Sequence, residues 1–316
     1  MQGRRHVEPW AVLAFSLGAT LWVAGCGPDQ RPTQDGGLPD AGPGYPTGPF
    51  TPQGEVPVIN MDGYWDTSPH LRDDGLEIFF GSERPESAGD LNFDSNIWVS
   101  TRASTSDSWS APTLVAPLVT AGHEGLPVLS DDGLTIYFIR NGVGVMQATR
   151  SDAGSQGWVG VAAVDTLNVG LTRAHDLQVA SDGSEEMVVV SDRAGSVGSL
   201  DFWFASRAGP TSSWTVTHGG ADLNSAEFET GATLSVDLRT LYLASARDGV
   251  YDRIYRATRA SPDDLFGTPV LVDELVPAVS TTITMQPHLT PDGLTLYYVH
   301  TPSGSFAKIH FATRTQ

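Results

Sequence analysis

Cysteine is almost absent from this chain, which has 316 residues and one cysteine, Cys26. A single cysteine excludes an internal disulfide and any zinc site built from cysteine pairs. Basic residues are scarce as well, because 18 Lys and Arg stand against 37 Asp and Glu, a formal net charge of −19. Nucleic acid is therefore excluded as a partner, since binding to the phosphate backbone requires clustered basic side chains.

The short motifs of common catalytic sites are missing too. The chain contains no Gly-x-Ser-x-Gly, no His-Glu-x-x-His, no phosphate loop and no dinucleotide fingerprint. We therefore expect no cofactor, apart from a cation that acidic side chains could hold. With 40% hydrophobic residues, the chain is long and apolar enough to bury a large core.

The N-terminus has the features of an export signal. Arg4 and Arg5 precede an apolar run over residues 11–23, which is too short to span a bilayer comfortably. The run ends in Val23-Ala24-Gly25-Cys26, which resembles the bacterial lipobox. The resemblance implies that residues 1–25 are a lipoprotein signal peptide and that Cys26 is lipidated. An ordinary signal peptide beside an incidental cysteine is the alternative.

The segment after the cysteine is predicted to be a tether. Residues 26–49 are rich in Pro, Gly and Asp and contain few apolar side chains, so they cannot bury enough surface to fold. Gly27 follows the cysteine where Asp would favour the inner membrane. By its resemblance to sorted lipoproteins, the chain is expected in the outer membrane, facing the periplasm or the outside.

A strand–turn–strand pattern recurs five times in residues 50–316. In the copy at 127–138, a short apolar strand is followed by an Asp-Gly turn and by alternating apolar residues. The turns end at Gly75, Gly133, Gly183, Leu238 and Gly293, so consecutive turns are 58, 50, 55 and 55 residues apart. Such a period indicates a propeller or solenoid. Leu238 replaces glycine in the fourth copy, where we expect a different turn.

Each repeat continues with a third strand that ends in arginine and a fourth strand that begins with an aromatic residue. The arginines, which we expect to face solvent or to pair within a blade, are Arg102, Arg150, Arg207, Arg259 and Arg314. The fifth repeat ends before its fourth strand, but Phe50 begins a matching segment at the other end. We therefore predict an all-β propeller of five four-stranded blades, closed by the N-terminal strand.

The repeat is similar to the WD40-like propeller repeat of the TolB type. Thr290-Pro291-Asp292-Gly293 is the copy nearest to the Ser-Pro-Asp-Gly turn of that repeat, and the similarity covers about 85% of the chain. The resemblance implies a propeller. TolB itself has six blades and a further N-terminal domain, so its partners in the Tol–Pal system are not carried over.

Propeller geometry places two sets of loops around one mouth of the central channel. The loops between fourth and first strands carry Tyr64, Trp65, Asp66, His123, Glu124, Arg173, His175, Asp176, Glu227 and Glu229. The loops between second and third strands add Arg84, Arg193 and Arg247. Carboxylates beside aromatic residues could bind a sugar, a peptide or a cation, and five-bladed glycosidases use central carboxylates. Alternatively, the acids bond to backbone donors or to the arginines.

The spacing of the acids suggests that they approach one axis. Asp66 and Glu124 lie three residues before the proline of a first strand, Glu229 keeps that offset, and Asp176 directly precedes its strand. The fifth repeat is expected to place Thr284 there. We expect at least two of these acids to remain open for a ligand.

Two histidines share one position in the repeat. His70 and His288 both stand in Pro-His-Leu, where the other copies have Val128, Gln178 and Thr233. Because this position varies so freely within one chain, we expect the two histidines to be structural.

Two functions fit these features. The favoured hypothesis is a lipid-anchored envelope protein whose monomeric propeller is a binding platform for a protein or a glycan. The alternative is a hydrolase of extracellular polysaccharide, which would need two carboxylates roughly 5–10 Å apart in an open pocket.

Overall fold

The computed structural model describes residues 45–87, 94–249 and 251–315. Within these ranges the regular elements are strands, with short 3₁₀ turns at Ala116–Leu118 and Asp273–Leu275. The strands are β1 Thr51–Glu55, β2 Asp66–Leu71, β3 Glu77–Ser82, β4 Asn96–Thr101, β5 Thr113–Leu114, β6 Glu124–Leu129, β7 Thr135–Arg140, β8 Gly144–Thr149, β9 Val159–Ala163, β10 Thr172–Val179, β11 Glu185–Ser191, β12 Asp201–Arg207, β13 Thr215–His218, β14 Glu229–Leu234, β15 Thr240–Ser245, β16 Arg253–Thr258, β17 Val270–Leu271, β18 Ile283–Leu289, β19 Thr295–Thr301 and β20 Lys308–Thr313.

The predicted signal peptide and Cys26 lie outside the described residues. In the described part of the chain, no helix has the length and hydropathy to cross a membrane.

The strands form five antiparallel sheets of four strands each. Blades 1 to 4 are β2–β5, β6–β9, β10–β13 and β14–β17, and blade 5 combines β18, β19 and β20 with β1. First strands of successive blades contact one another around the ring, and blade 5 contacts blade 1 in the same way. The predicted five-bladed propeller is confirmed.

The N-terminal strand closes the ring. Strand β1 pairs antiparallel with β20, with Thr51 opposite Thr313 and Glu55 opposite His310. Phe50 is buried, and the Arg314 guanidinium lies 4.5 Å from the centre of its ring. The segment at 50–60 therefore completes blade 5, as its aromatic residue predicts.

The hydrophobic core consists of five clusters, each between two adjacent blades. Phe79 of blade 1 packs with Ile136 and Phe138 of blade 2, for example, and Ile78 packs with Tyr297 of blade 5. Each second strand packs against one neighbouring blade on one face and against the other neighbouring blade on the opposite face. This is why they read as continuous apolar runs such as residues 187–190.

The arginines at the ends of third strands are held in the ring. In every blade the guanidinium lies 4.2–4.6 Å from the centre of the aromatic ring that opens the fourth strand. Arg150 is buried and forms an ion pair with Glu77 of the preceding blade at 2.6 Å. Arg259 reaches Glu186 of its preceding blade in the same way. Arg207 pairs with Glu185 of its own blade, as expected. For Arg150 and Arg259 the expectation is wrong, because closely packed blades bury them at their interfaces.

The fourth turn has the same shape as the glycine turns. Leu238 adopts a left-handed φ of 60°, and its amide donates to the Ser235 carbonyl at 2.8 Å, as the Gly133 amide donates to Ser130. A left-handed conformation costs a leucine roughly 1–2 kcal/mol. Burial of the Leu238 side chain between blades 3 and 4 offsets this cost. The prediction of a different turn is wrong.

The propeller contacts begin before Phe50. Arg314 lies 5.9 Å from the centre of the Tyr45 ring, and its guanidinium donates to the Gly48 carbonyl at 3.5 Å. The end of the predicted tether is thus packed against blade 5, beside the Gly293 turn.

Candidate functional site

The first strands that surround the channel are bent in all five blades. Each has a shift of register within its pairing with the second strand. In blades 1, 2 and 5 the bent residue is Ser68, Leu126 or Gln286, with φ of 53°, 51° and 50°. Bulges of this kind redirect side chains and are common beside functional sites.

A small cavity lies in the channel between these bends. Its walls include Ser68, Leu126, Ala174, His175 and Gln286, and its volume of about 10 Å³ holds about one water molecule. Sites for organic ligands are far larger, usually about 300–1,000 Å³. The cavity therefore suits water or an ion better than a sugar chain.

A belt of hydrogen bonds runs around the channel near the cavity. In four blades, the amide of the last residue of the first strand donates to a polar side chain of the preceding blade. The pairs are Leu71 to His288 Nε2 at 3.1 Å, Val179 to Asp131 Oδ2 at 3.1 Å, Leu234 to Asp176 Oδ2 at 2.5 Å, and Leu289 to Thr233 Oγ1 at 3.0 Å. At the remaining interface, His70 lies against the backbone of Leu129. The belt joins all five blades.

Asp66 is fully buried at the start of β2. Its Oδ1 accepts from Arg84 Nη2 at 2.6 Å and from Ser82 Oγ at 2.7 Å, and its Oδ2 accepts from the Met61 amide at 2.7 Å. The carboxylate is therefore saturated by groups of its own blade and of the loop that enters it.

Glu124 occupies the same place in blade 2, and it is 1% exposed. Its Oε1 accepts from Arg140 Nε at 2.9 Å and from Thr120 Oγ1 at 2.5 Å. Arg140 stands opposite Glu124 on the second strand, where Ser82 stands opposite Asp66. The repeat pattern does not predict the role of Arg140, because this residue lies two positions earlier than the arginines of the other blades.

Glu229 is the corresponding acid of blade 4. Its Oε1 accepts from Ser225 Oγ at 2.7 Å, Ser245 Oγ at 3.1 Å and Arg247 Nη2 at 3.3 Å. Burial raises its pKa to about 7, against the lowering effect of the Ser225 bond and the Arg247 charge. Oε2 has no hydrogen-bond partner among the described residues.

Four arginines fasten the loops that enter the blades. Each guanidinium donates to the carbonyl of the apolar residue that lies nine positions after the fourth-strand aromatic residue. The pairs are Arg84 to Ile59 at 2.6 Å, Arg140 to Leu118 at 2.9 Å, Arg193 to Leu167 at 2.9 Å, and Arg247 to Leu223 at 2.7 Å. The acids and arginines of this face thus hold the connections between blades, which corresponds to the structural alternative set out from the sequence.

Asp176 does not share the place of the other acids. Thr172 stands opposite Ser191 in blade 3, as Asp66 stands opposite Ser82, while Thr284 takes the expected place in blade 5. Strand β10 is eight residues long and the corresponding strand of blade 1 has six, so Asp176 lies within its strand and does not precede it. Asp176 lies deeper in the channel.

Three donors from three blades meet there. His70, Asp176 and His288 each present one ligand atom, and these atoms lie within 4.8 Å of one another. The two imidazole rings are 4.3 Å apart between their centres. Burial lowers the pKa of both histidines, that of His288 to about 3, and raises the pKa of Asp176 to about 7. Both imidazoles are therefore neutral at physiological pH.

The remaining predicted residues are dispersed. Tyr64 and Trp65 are half-buried in the loop before β2, and Glu227 is exposed before β14. The amide of Ser95 donates to His123 Nδ1 at 3.0 Å. Arg173 and His175 are on β10, and His175 lines the cavity. The binding of a ligand by these residues stays a prediction.

Comparison with known proteins places the fold among five-bladed and related propellers. No family model matches the chain, and no curated protein matches it. An α-L-arabinofuranosidase of Podospora anserina, solved with cellotriose, is 12% identical with a TM-score of 0.56, over 85% of this chain and 97% of that one. A thermostable family-43 glycoside hydrolase is 12% identical with a TM-score of 0.53, over 83% and 93%. TolB from Acinetobacter baumannii is 16% identical with a TM-score of 0.48, over 82% of this chain and 56% of TolB.

Proposed function

We propose that this protein is a lipid-anchored envelope protein whose monomeric propeller binds a glycan on its loop face. The likeness to glycoside hydrolases, one of them solved with cellotriose, supports a glycan over a protein as the ligand. It supports the alternative, a hydrolase of polysaccharide, better than it supports a binding platform. The anchor rests on residues 4–26 of the sequence.

The observation that favours binding without hydrolysis is the pairing of the loop-face acids. Glycosidases require two carboxyl groups that reach the scissile bond, one as acid and one as base or nucleophile. Asp66, Glu124 and Glu229 are 0–1% exposed and are each bonded to an arginine of their own blade. In this state none of the three reaches a substrate. We expect a bound sugar to contact Trp65 and Glu227 of the same face, which are more exposed.

Hydrolysis remains the second candidate because of two acids at the opposite mouth of the channel. Asp73 and Asp131 lie in the turns that follow β2 and β6. Burial raises the pKa of Asp131 to about 6. Burial and the charge of Asp131 raise the pKa of Asp73 to about 7, and solvent at the exposed Asp73 side chain screens part of this rise. Neighbouring carboxyls with raised pKa values are typical of acid–base pairs.

A glycan array followed by product analysis distinguishes the candidates. The purified chain is screened on plant and bacterial polysaccharides, and bound glycans are then incubated with it and analysed for new reducing ends. We expect binding without cleavage, weakened by Trp65→Ala and unchanged by Asp73→Asn. Cleavage that is lost in Asp73→Asn or Asp131→Asn would establish the hydrolase, and the absence of any glycan ligand would refute both.

A further inference from the structure

Ring closure makes the first and last repeats neighbours. His70 is in blade 1 and His288 in blade 5, 218 residues apart in the sequence, yet they occupy the same position of the repeat. Because β1 closes blade 5 beside blade 1, equal positions in these two blades face one another. This is why the two imidazoles stand 4.3 Å apart between ring centres.

Asp176 comes from the far side of the ring. Blade 3 is adjacent to neither blade 1 nor blade 5, so a side chain of β10 meets the two histidines only inside the channel. The three donor atoms lie within 4.8 Å of one another, and the residues are 4%, 1% and 6% exposed for His70, Asp176 and His288. Three buried donors from three separate blades therefore converge on one point.

We propose that His70, Asp176 and His288 bind one divalent transition-metal ion in the channel. Two imidazole nitrogens and one carboxylate oxygen are ligands that suit zinc, cobalt or nickel. Calcium and magnesium prefer sets of oxygen ligands and fit this one poorly. Three protein ligands leave further coordination positions for water.

The hydrogen bonds of the belt orient two of the three ligands. Oδ2 of Asp176 accepts from the Leu234 amide, and Oδ1 has no hydrogen bond of good geometry among the described residues, although Gln178 lies close to the carboxyl group. Nε2 of His288 accepts from the Leu71 amide, and Nδ1 likewise has no partner. Oδ1 of Asp176 and Nδ1 of His288 are therefore the atoms that we assign to the ion.

The His288 bond also sets the strength of the site. Because Nε2 accepts a hydrogen bond, Nδ1 carries the proton of the neutral ring, so an ion binds Nδ1 only when this proton moves to Nε2 and the bond from the Leu71 amide breaks. Metal-binding histidines usually donate from their second nitrogen, and the Leu71 amide opposes this arrangement. We therefore expect weaker binding than at a dedicated site with the same ligands.

The repeat itself supplies matched variants. Thr233 and Gln178 occupy the histidine position in blades 4 and 3, and Thr233 accepts the same amide bond that His288 accepts. His288→Thr and His70→Gln therefore keep a polar acceptor in the belt while removing imidazole. His310→Ala serves as control, since His310 and His300 stack at 4.5 Å on β19 and β20, away from the channel, and could bind metal adventitiously.

The test is calorimetric titration of the full chain, freed of metal with a chelator, with Zn²⁺, Co²⁺ and Ca²⁺. We expect about one Zn²⁺ or Co²⁺ per chain, an affinity at least about 10-fold lower in His288→Thr and in His70→Gln, and no change in His310→Ala. Melting curves of the metal-free variants show whether each is folded, and either folded variant is sufficient.

Four results would overturn the proposal. They are no saturable binding, binding that survives in a folded His70→Gln or His288→Thr variant, binding that is lost in His310→Ala, and a preference for Ca²⁺. None of these results depends on a glycan, so the metal site and the proposed function fail independently.

Discussion

Replacement of Phe50 by alanine tests the closure of the ring by the N-terminal strand. Phe50 is 3% exposed, packs edge-on against Tyr242 of blade 4, and lies under the Arg314 guanidinium. Truncation of a buried phenylalanine costs about 3–5 kcal/mol. A domain is stable by only about 5–15 kcal/mol, so the loss is a large part of the total.

The melting temperature reports this loss. For a domain of this size, a change of 1 kcal/mol shifts the melting temperature by roughly 2–4 °C, so Phe50→Ala is expected to melt roughly 6–20 °C lower. Phe266→Ala is the matched variant, because Phe266 is 2% exposed and lies 4.5 Å from Arg259 in the same place of blade 4. Thr51→Ala is the control on the same strand, since its side chain is exposed.

The comparison of the three variants decides the question. If β1 is an integral strand of blade 5, the melting temperatures of Phe50→Ala and Phe266→Ala are both lowered, while that of Thr51→Ala stays near the wild-type value. If Phe50→Ala melts with Thr51→Ala and well above Phe266→Ala, the ring is not closed by the N-terminal strand. Deletion of residues 27–44, which precede the packed Tyr45, is expected to leave the melting temperature unchanged.

Three further outcomes are expected. Cys26→Ala abolishes incorporation of labelled fatty acid, and equal labelling of variant and wild type would disprove the anchor. Burial raises the pKa values of Glu229 and Asp252 to about 7, so the folded state binds protons more tightly than the unfolded state, and stability falls as the pH rises from about 4 to 7. The Glu229→Gln, Asp252→Asn double variant should therefore lose much of the difference in melting temperature between pH 5 and pH 7.5, and an unchanged difference would contradict this assignment. Arg150→Lys loses the stacking on Trp158 and the paired bonds to the preceding blade, which lowers the free energy of unfolding by about 1–3 kcal/mol in urea denaturation; an unchanged midpoint would contradict it.

The architecture was predictable because it is repeated. One Asp-Gly turn such as that at Gly133 is weak evidence, but four of them in register with the turn at Leu238 determine the number of blades, and Phe50 identifies the missing strand. The turn at Leu238 was not predictable, because the packing of its side chain between blades overrides the preference for glycine.

The channel site was harder to predict because its members are joined only by the closed ring. The variation of the repeat at His70 and His288 suggested a structural role, and it is true that both lie in or beside the hydrogen-bond belt. The signal that was missed is that the two histidines occur in the first and last repeats, which closure brings together. Asp176 was expected beside Asp66, Glu124 and Glu229, but it lies deeper in the channel because β10 is longer than its counterparts.

The central claim is that the buried acids and arginines of the loop face hold the connections between blades, and melting of Asp66→Asn tests it most directly. Asp66 and Arg84 are 0% and 7% exposed, and loss of one partner of a buried ion pair costs about 3–5 kcal/mol. We expect the melting temperature of Asp66→Asn to be clearly lower than that of the wild type. Glu227 is an exposed acid of the same face, so we expect no change in the melting temperature of Glu227→Gln. An Asp66→Asn variant that melts like the wild type but no longer binds glycan would show that Asp66 serves the ligand, and would contradict the account.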